Sequence, residues 1–158
     1  MDKKQNAFAN LRILHLSMLI GIFVFAGLAL FVTKDQPLAS SGEYLNRTLQ
    51  GIAAILSLGA LVIGYRMFNK KILAIRTNTT SGIQRMDEYR KAVITWWALI
   101  EGPALFAIIC FMLVGNFAFL ALAGFHFLLM LLFAPRKDNI ILLLNLNSEE
   151  VKMLEQIG

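Results

Sequence analysis

Hydrophobic residues along this chain gather into four long runs separated by short polar breaks. The runs cover residues 11–32, 49–68, 92–113 and 117–134. A bilayer core of about 30 Å needs about 20 helical residues, so each run is long enough to span one. None alternates with the period of two that marks a half-buried strand. The pattern predicts an all-α fold, a four-helix transmembrane bundle over residues 1–135 with a short tail over residues 136–158.

The breaks differ in kind. The first, residues 33–46, contains Pro37 and the run Ser40-Ser41-Gly42, which predicts an irregular loop. Gly115-Asn116 alone separates the third run from the fourth, which predicts a tight helical hairpin. The link between the second and third runs is the longest. The second helix can continue past Phe68 through Ile75 and end at the polar run beginning Thr77-Asn78-Thr79. Ser81 followed three residues later by Gln84 reads as a capping box, so the third helix starts near Gly82. A helical hairpin with a polar tip then projects from the membrane. In the tail, Leu142, Leu144 and Leu146 alternate with Leu143 and Asn145, and residues 138–147 read as strand-like at their end. Ser148-Glu149-Glu150 opens a short helix with acids at its positive end.

Charge adds an orientation. Lys and Arg number three up to Arg12, seven in the long link and three in the tail, against two, Lys34 and Arg47, between the first and second runs and none at Gly115. Basic residues concentrate on the cytoplasmic side of membrane proteins. This count predicts that both termini and the long hairpin are cytoplasmic, in a bacterial plasma (inner) membrane. The net charge of +5 is therefore a topology signal. No basic patch interleaved with aromatics is present, so no nucleic-acid partner is expected. The run at residues 11–32 exceeds a signal-peptide core and lacks an Ala-x-Ala cleavage site, so it reads as a retained helix.

Few residues offer chemistry. Cys110 has no second cysteine to pair with and reads as a packing residue. No phosphate loop, catalytic triad order or metal-ligand spacing occurs, so no enzyme, cofactor or metal centre is expected. Glu101 is the one charged residue well inside a predicted span. Such a charge costs about 2.5–3.5 kcal/mol at a helix centre, and a carboxyl can avoid part of that cost by taking up a proton. Two readings stand beside each other: a proton or cation carrier, and a protonated glutamate hydrogen-bonded between helices. Pro103 beside it frees the Leu99 carbonyl and is expected to kink the helix.

Depth along the helices brings other polar residues to the same level. At 1.5 Å per residue, Glu101 lies roughly 14 Å in from residue 92, His126 roughly 12 Å in from residue 134 and Ser57 roughly 16 Å in from residue 68. A Glu101–His126 pair would let the acid ionise and relay a proton. His15 is expected near the membrane interface. Trp96 and Trp97 would place Glu101 nearer the surface if they form an aromatic belt. Ala53, Ser57, Ala60 and Gly64 recur every four or three residues and form a small-residue stripe for close helix packing.

Residues 51–115 resemble the ion-carrying hairpin of rotary ATPase proteolipids, the c or K subunits. The shared features are a helix with small residues, a polar loop, and an outward helix reading Trp97-Ala-Leu-Ile-Glu101-Gly-Pro103-Ala-Leu-Phe106. That resemblance implies that Glu101 is the ion-binding carboxylate. The expected partners are the lipid bilayer and further copies of the chain or another membrane subunit. The alternative is an accessory membrane protein whose cytoplasmic hairpin and tail dock a partner without transport.

Overall fold

A computed structural model describes residues 7–38, 42–77 and 80–156. Among them lie six helices and no strand: α1 Ala7–Val32, α2 Glu43–Thr77, α3 Gly82–Val114, α4 Phe117–Leu132, α5 Lys137–Leu144 and α6 Ser148–Gln156. Helices α1, α2 and α3 are long and apolar enough to cross a membrane. Helix α4 has 16 residues, which reach about 24 Å at 1.5 Å per residue. It bends by 70° into α5, and the bent pair together has the length of a span. Ser40, Ser41, Asn78 and Thr79 of the expected loops lie outside the described residues, as do residues 1–6 at the start of the chain.

Local chemistry explains the helix ends. Gly115 adopts φ 70°, and its N–H bonds the Phe111 carbonyl to close α3. A side chain there meets left-handed strain, and its Cβ would rest in ordinary contact with Pro37 at 3.4 Å. Asn116 then opens α4, its side-chain oxygen accepting the Ala118 N–H at 2.9 Å, as a residue preceding a helix typically does. Ser81 does precede α3, but its hydroxyl makes no capping bond. The expected capping box is absent there. The Glu150 side chain of α6 packs there instead, 2.8 Å from where a Cβ on Gly82 would stand.

Helix α3 is the centre of the molecule and packs on α2, α4 and α1. Its small positions allow close approach. Ala104 and Ala107 are fully buried, with Ala53 of α2, Ala29 of α1 and Ala123 of α4 in the same cluster. Ser57 and Gly64 are buried too, and Ala60 partly so. A Cβ on Gly64 would stand 2.8 Å from the Trp96 ring, so this end of the stripe serves packing between α2 and α3. Pro103 sits inside α3, which continues unbroken around it.

The tail departs from its expected conformation. Residues 137–144 are helical, and the strand-like reading of residues 138–147 is wrong. Asn145 takes φ 51°, and its N–H bonds the Leu142 carbonyl while the Leu146 N–H bonds that of Ile141. This is the six-to-one, five-to-two closure that ends many helices. A helix also places Ile140 and Leu144 one turn apart on one face, where both are buried in the core with Ile75, Leu11 and Trp97. Each fully buried Ile or Leu stabilises by about 1.5–3 kcal/mol relative to exposure.

A polar junction then fixes the tail to the hairpin near its tip. Arg85 of α3 donates to the Leu144 carbonyl at 2.7 Å and to Glu150 at 2.5 Å. Asn147 and Glu150 exchange reciprocal side-chain to backbone bonds at the start of α6, the capping box of that helix. Lys137 and Glu155 close the other side as an ion pair. The Asn147 amide foremost, and then the Arg85 guanidinium, hold the Glu150 carboxyl below its usual range against the opposing effect of burial. A carboxyl held low stabilises the fold above its unfolded pKa, and that contribution is lost as pH falls through the lower folded value. The unfolded value is about 4.3. The tail is therefore expected to stay docked at neutral pH and loosen in acid below about pH 4.3. Amide protection in α6, corrected for intrinsic exchange, should fall there in the parent and lose this acid limb in Glu150→Gln. A pH-independent α6 in the parent would remove the junction from the picture.

Candidate intramembrane polar site

The polar residues of the apolar segments fall into three separate groups. The first is Ser57 of α2 with His126 of α4. Both are buried, His126 completely. His126 Nδ1 lies 3.0 Å from the Leu122 carbonyl one turn back, and Nε2 lies 3.1 Å from Ser57 Oγ. A carbonyl only accepts, so Nδ1 carries the proton. In the neutral ring Nε2 then accepts from the Ser57 hydroxyl. Both ring nitrogens are thus engaged.

The second group ends α4. His15 of α1 is buried inside the protein, and its Nε2 donates to the Met130 carbonyl at 2.9 Å. Trp97 of α3 is fully buried, its ring centroid 4.7 Å from that of His15, and its indole N–H donates to the Phe133 carbonyl at 3.2 Å. The last carbonyls of a helix have no partner within it, and α4 meets two of them with side chains from α1 and α3. Trp96 is buried on another side, edge-on to Phe133 with centroids 5.2 Å apart. The two tryptophans are core residues, so they do not form a belt. The chain pattern hid this, because paired tryptophans near a basic loop have the composition of a belt and of a core alike.

Glu101 forms the third group by itself. It is half-buried on α3, and one carboxylate oxygen lies 4.0 Å from where a Cβ on Gly21 of α1 would stand. Among the described residues its carboxylate has no hydrogen bond or ion pair. The expected Glu101–His126 hydrogen bond is not formed, because His126 is committed to Ser57 and Leu122. The site is a carboxylate beside a glycine, open on the α1 side of the molecule. Gly21 was not foreseen as part of it. Its signal in the chain was a glycine inside an apolar helix, a residue that admits close approach of another group.

Among the described residues no three His, Cys, Asp or Glu side chains come together as a metal site. Cys110 is buried in the apolar cluster with Ala107 and Phe111. No protein-family model matches the chain, and no curated protein or solved structure is detectably similar to it.

Proposed function

We propose that the chain is an integral membrane protein of four spans, the fourth being α4, which turns into α5 at its cytoplasmic end, and that Glu101 binds a proton or a small cation within an assembly of several subunits. The observation that supports this reading is the carboxylate without a partner. A structural glutamate in lipid offsets its burial by hydrogen-bonding to a neighbouring helix. Glu101 faces Gly21, which has no side chain to offer. Its charge must then be met by a proton, by a cation, or by a group from another subunit. The count of basic residues supports a cytoplasmic hairpin and cytoplasmic termini. The resemblance of residues 51–115 to proteolipid hairpins is in keeping with this role for Glu101.

In liposomes carrying a proton or sodium gradient, Glu101→Gln should abolish flux while leaving helix content and gel-filtration behaviour unchanged. Flux that survives the substitution, or a parent that carries none, rejects the ion-handling role.

An accessory role has an observation in its favour as well. Leu73 on the hairpin and Leu142 on α5 are 65% and 72% exposed beyond the predicted membrane spans. Apolar residues exposed in water suit a partner surface when they cluster. A partner that co-purifies in mild detergent and is released by Leu73→Asp or Leu142→Asp would favour this second reading.

A further inference from the structure

Helices α2 and α4 both lie on α3 but meet each other only lightly. The space between them is an apolar groove of about 360 Å³, lined by Leu61, Val62 and Tyr65 of α2, Phe125 and Leu129 of α4, and Trp96 of α3 at its floor. Val62, Tyr65 and Phe125 are about half exposed along its rim, so it opens outward along its length. Such a groove in a spanning bundle faces acyl chains.

One end of the groove is cationic. Arg66 lines it, and among the described residues its guanidinium makes no hydrogen bond or ion pair. Lys70 follows one turn along α2, without a partner among the described residues. Arg66 stands two residues before the expected cytoplasmic end of this span, within reach of the headgroup layer by extending its side chain. Guanidinium groups bind phosphate with two parallel hydrogen bonds. Basic pockets between helices on the cytoplasmic side suit anionic headgroups.

We propose that this groove seats one acyl chain of an anionic phospholipid, with Arg66 holding its phosphate. A zwitterionic lipid would fill the same apolar groove but would carry no net charge for Arg66 and Lys70. Discrimination therefore resides in the cationic end. This proposal rests on the reading of α2 and α4 as membrane helices.

The floor residue reports on the site. The chain has two tryptophans. Trp96 underlies the groove, while Trp97 packs against His15. The full chain can be reconstituted in phosphatidylcholine vesicles containing either bromine-labelled phosphatidylglycerol or bromine-labelled phosphatidylcholine. Tryptophan fluorescence should be quenched at about fivefold lower mole fraction by the anionic lipid, the effect of roughly one favourable cation. Arg66→Gln should erase that difference and leave quenching by the zwitterionic lipid unchanged. Equal quenching by the two lipids in the parent, or a preference that Arg66→Gln leaves intact, overturns the lipid site while the membrane reading stands. A protein that fails to enter the vesicles and is quenched by neither overturns both.

Discussion

Trp97→Ala should destabilise the protein by about 3–5 kcal/mol, the range for removing a large aromatic from a packed core. Three losses coincide at this position. The indole is fully buried, so its removal leaves a cavity at the centre of α3. The part-buried Phe133 carbonyl loses its donor, where a fully buried unpaired acceptor would cost about 1–3 kcal/mol. His15 loses the ring that holds it against the Met130 carbonyl, which weakens the second lock on the end of α4. Trp97→Phe keeps most of the apolar volume and loses the hydrogen bond, so it should cost about 1 kcal/mol plus a small packing term. Unfolding in mixed detergent micelles, followed by circular dichroism, measures both. A Trp97→Ala protein within about 1 kcal/mol of the parent would falsify the placement of this residue at the core of the bundle.

Arg85→Ala is expected to be the most damaging change outside the apolar segments, at about 2 kcal/mol, within the range for hydrogen bonds to charged groups. Arg85 binds the carbonyl end of α5 and the carboxylate of Glu150, with side chains only 10% and 13% exposed. The pair is therefore shielded from the screening that makes surface ion pairs weak. Without Arg85, Glu150 still caps α6 through Asn147, so α6 should survive as a helix while its docking weakens. Ile140 and Leu144 would then open toward water. Limited proteolysis should cut between residues 145 and 158 in Arg85→Ala and spare the parent. Equal resistance in the two proteins argues that apolar packing alone holds the tail. Deleting residues 139–158 is a harsher change, because it strips Ile140 and Leu144 from the core and disturbs the bundle with the tail.

The parts of this fold that local chemistry dictates could be read from the chain. Gly115-Asn116 announced a turn because one residue closes α3 and the next opens α4. The end of α2 at Thr77 and the start of α3 at Gly82 followed from a run of Thr, Asn, Ser and Gly, which favours a loop over a helix. The conformation of residues 140–144 could not be read, because Ile-Ile-Leu-Leu-Leu is apolar at every position and the alternation from Leu142 to Leu146 rests on the single polar residue Asn145. The left-handed turn at Asn145 and the packing of Ile140 and Leu144 decide it, and both depend on tertiary contacts.

The polar site divides in the same way. Counting residues along a helix gives depth, and depth placed Glu101, His126 and Ser57 at similar levels. Depth says nothing about rotation around the axis. Each residue turns a helix by about 100°, and rotation decides that His126 meets Ser57 while Glu101 faces Gly21. Trp97 stands four residues before Glu101, yet its role at the end of α4 depends on where Phe133 leaves that helix. The isolation of Glu101 among apolar residues was legible. Its lack of a partner in the fold was not.

Infrared difference spectroscopy on the reconstituted protein tests the assignment of Glu101 most directly. A proton or cation site at Glu101 predicts a protonated-carboxyl band in the parent that is absent from Glu101→Gln and that disappears on raising pH or adding the bound cation. A Glu101 band that ignores both pH and cations contradicts ion binding and leaves the residue a fixed, protonated part of the bundle.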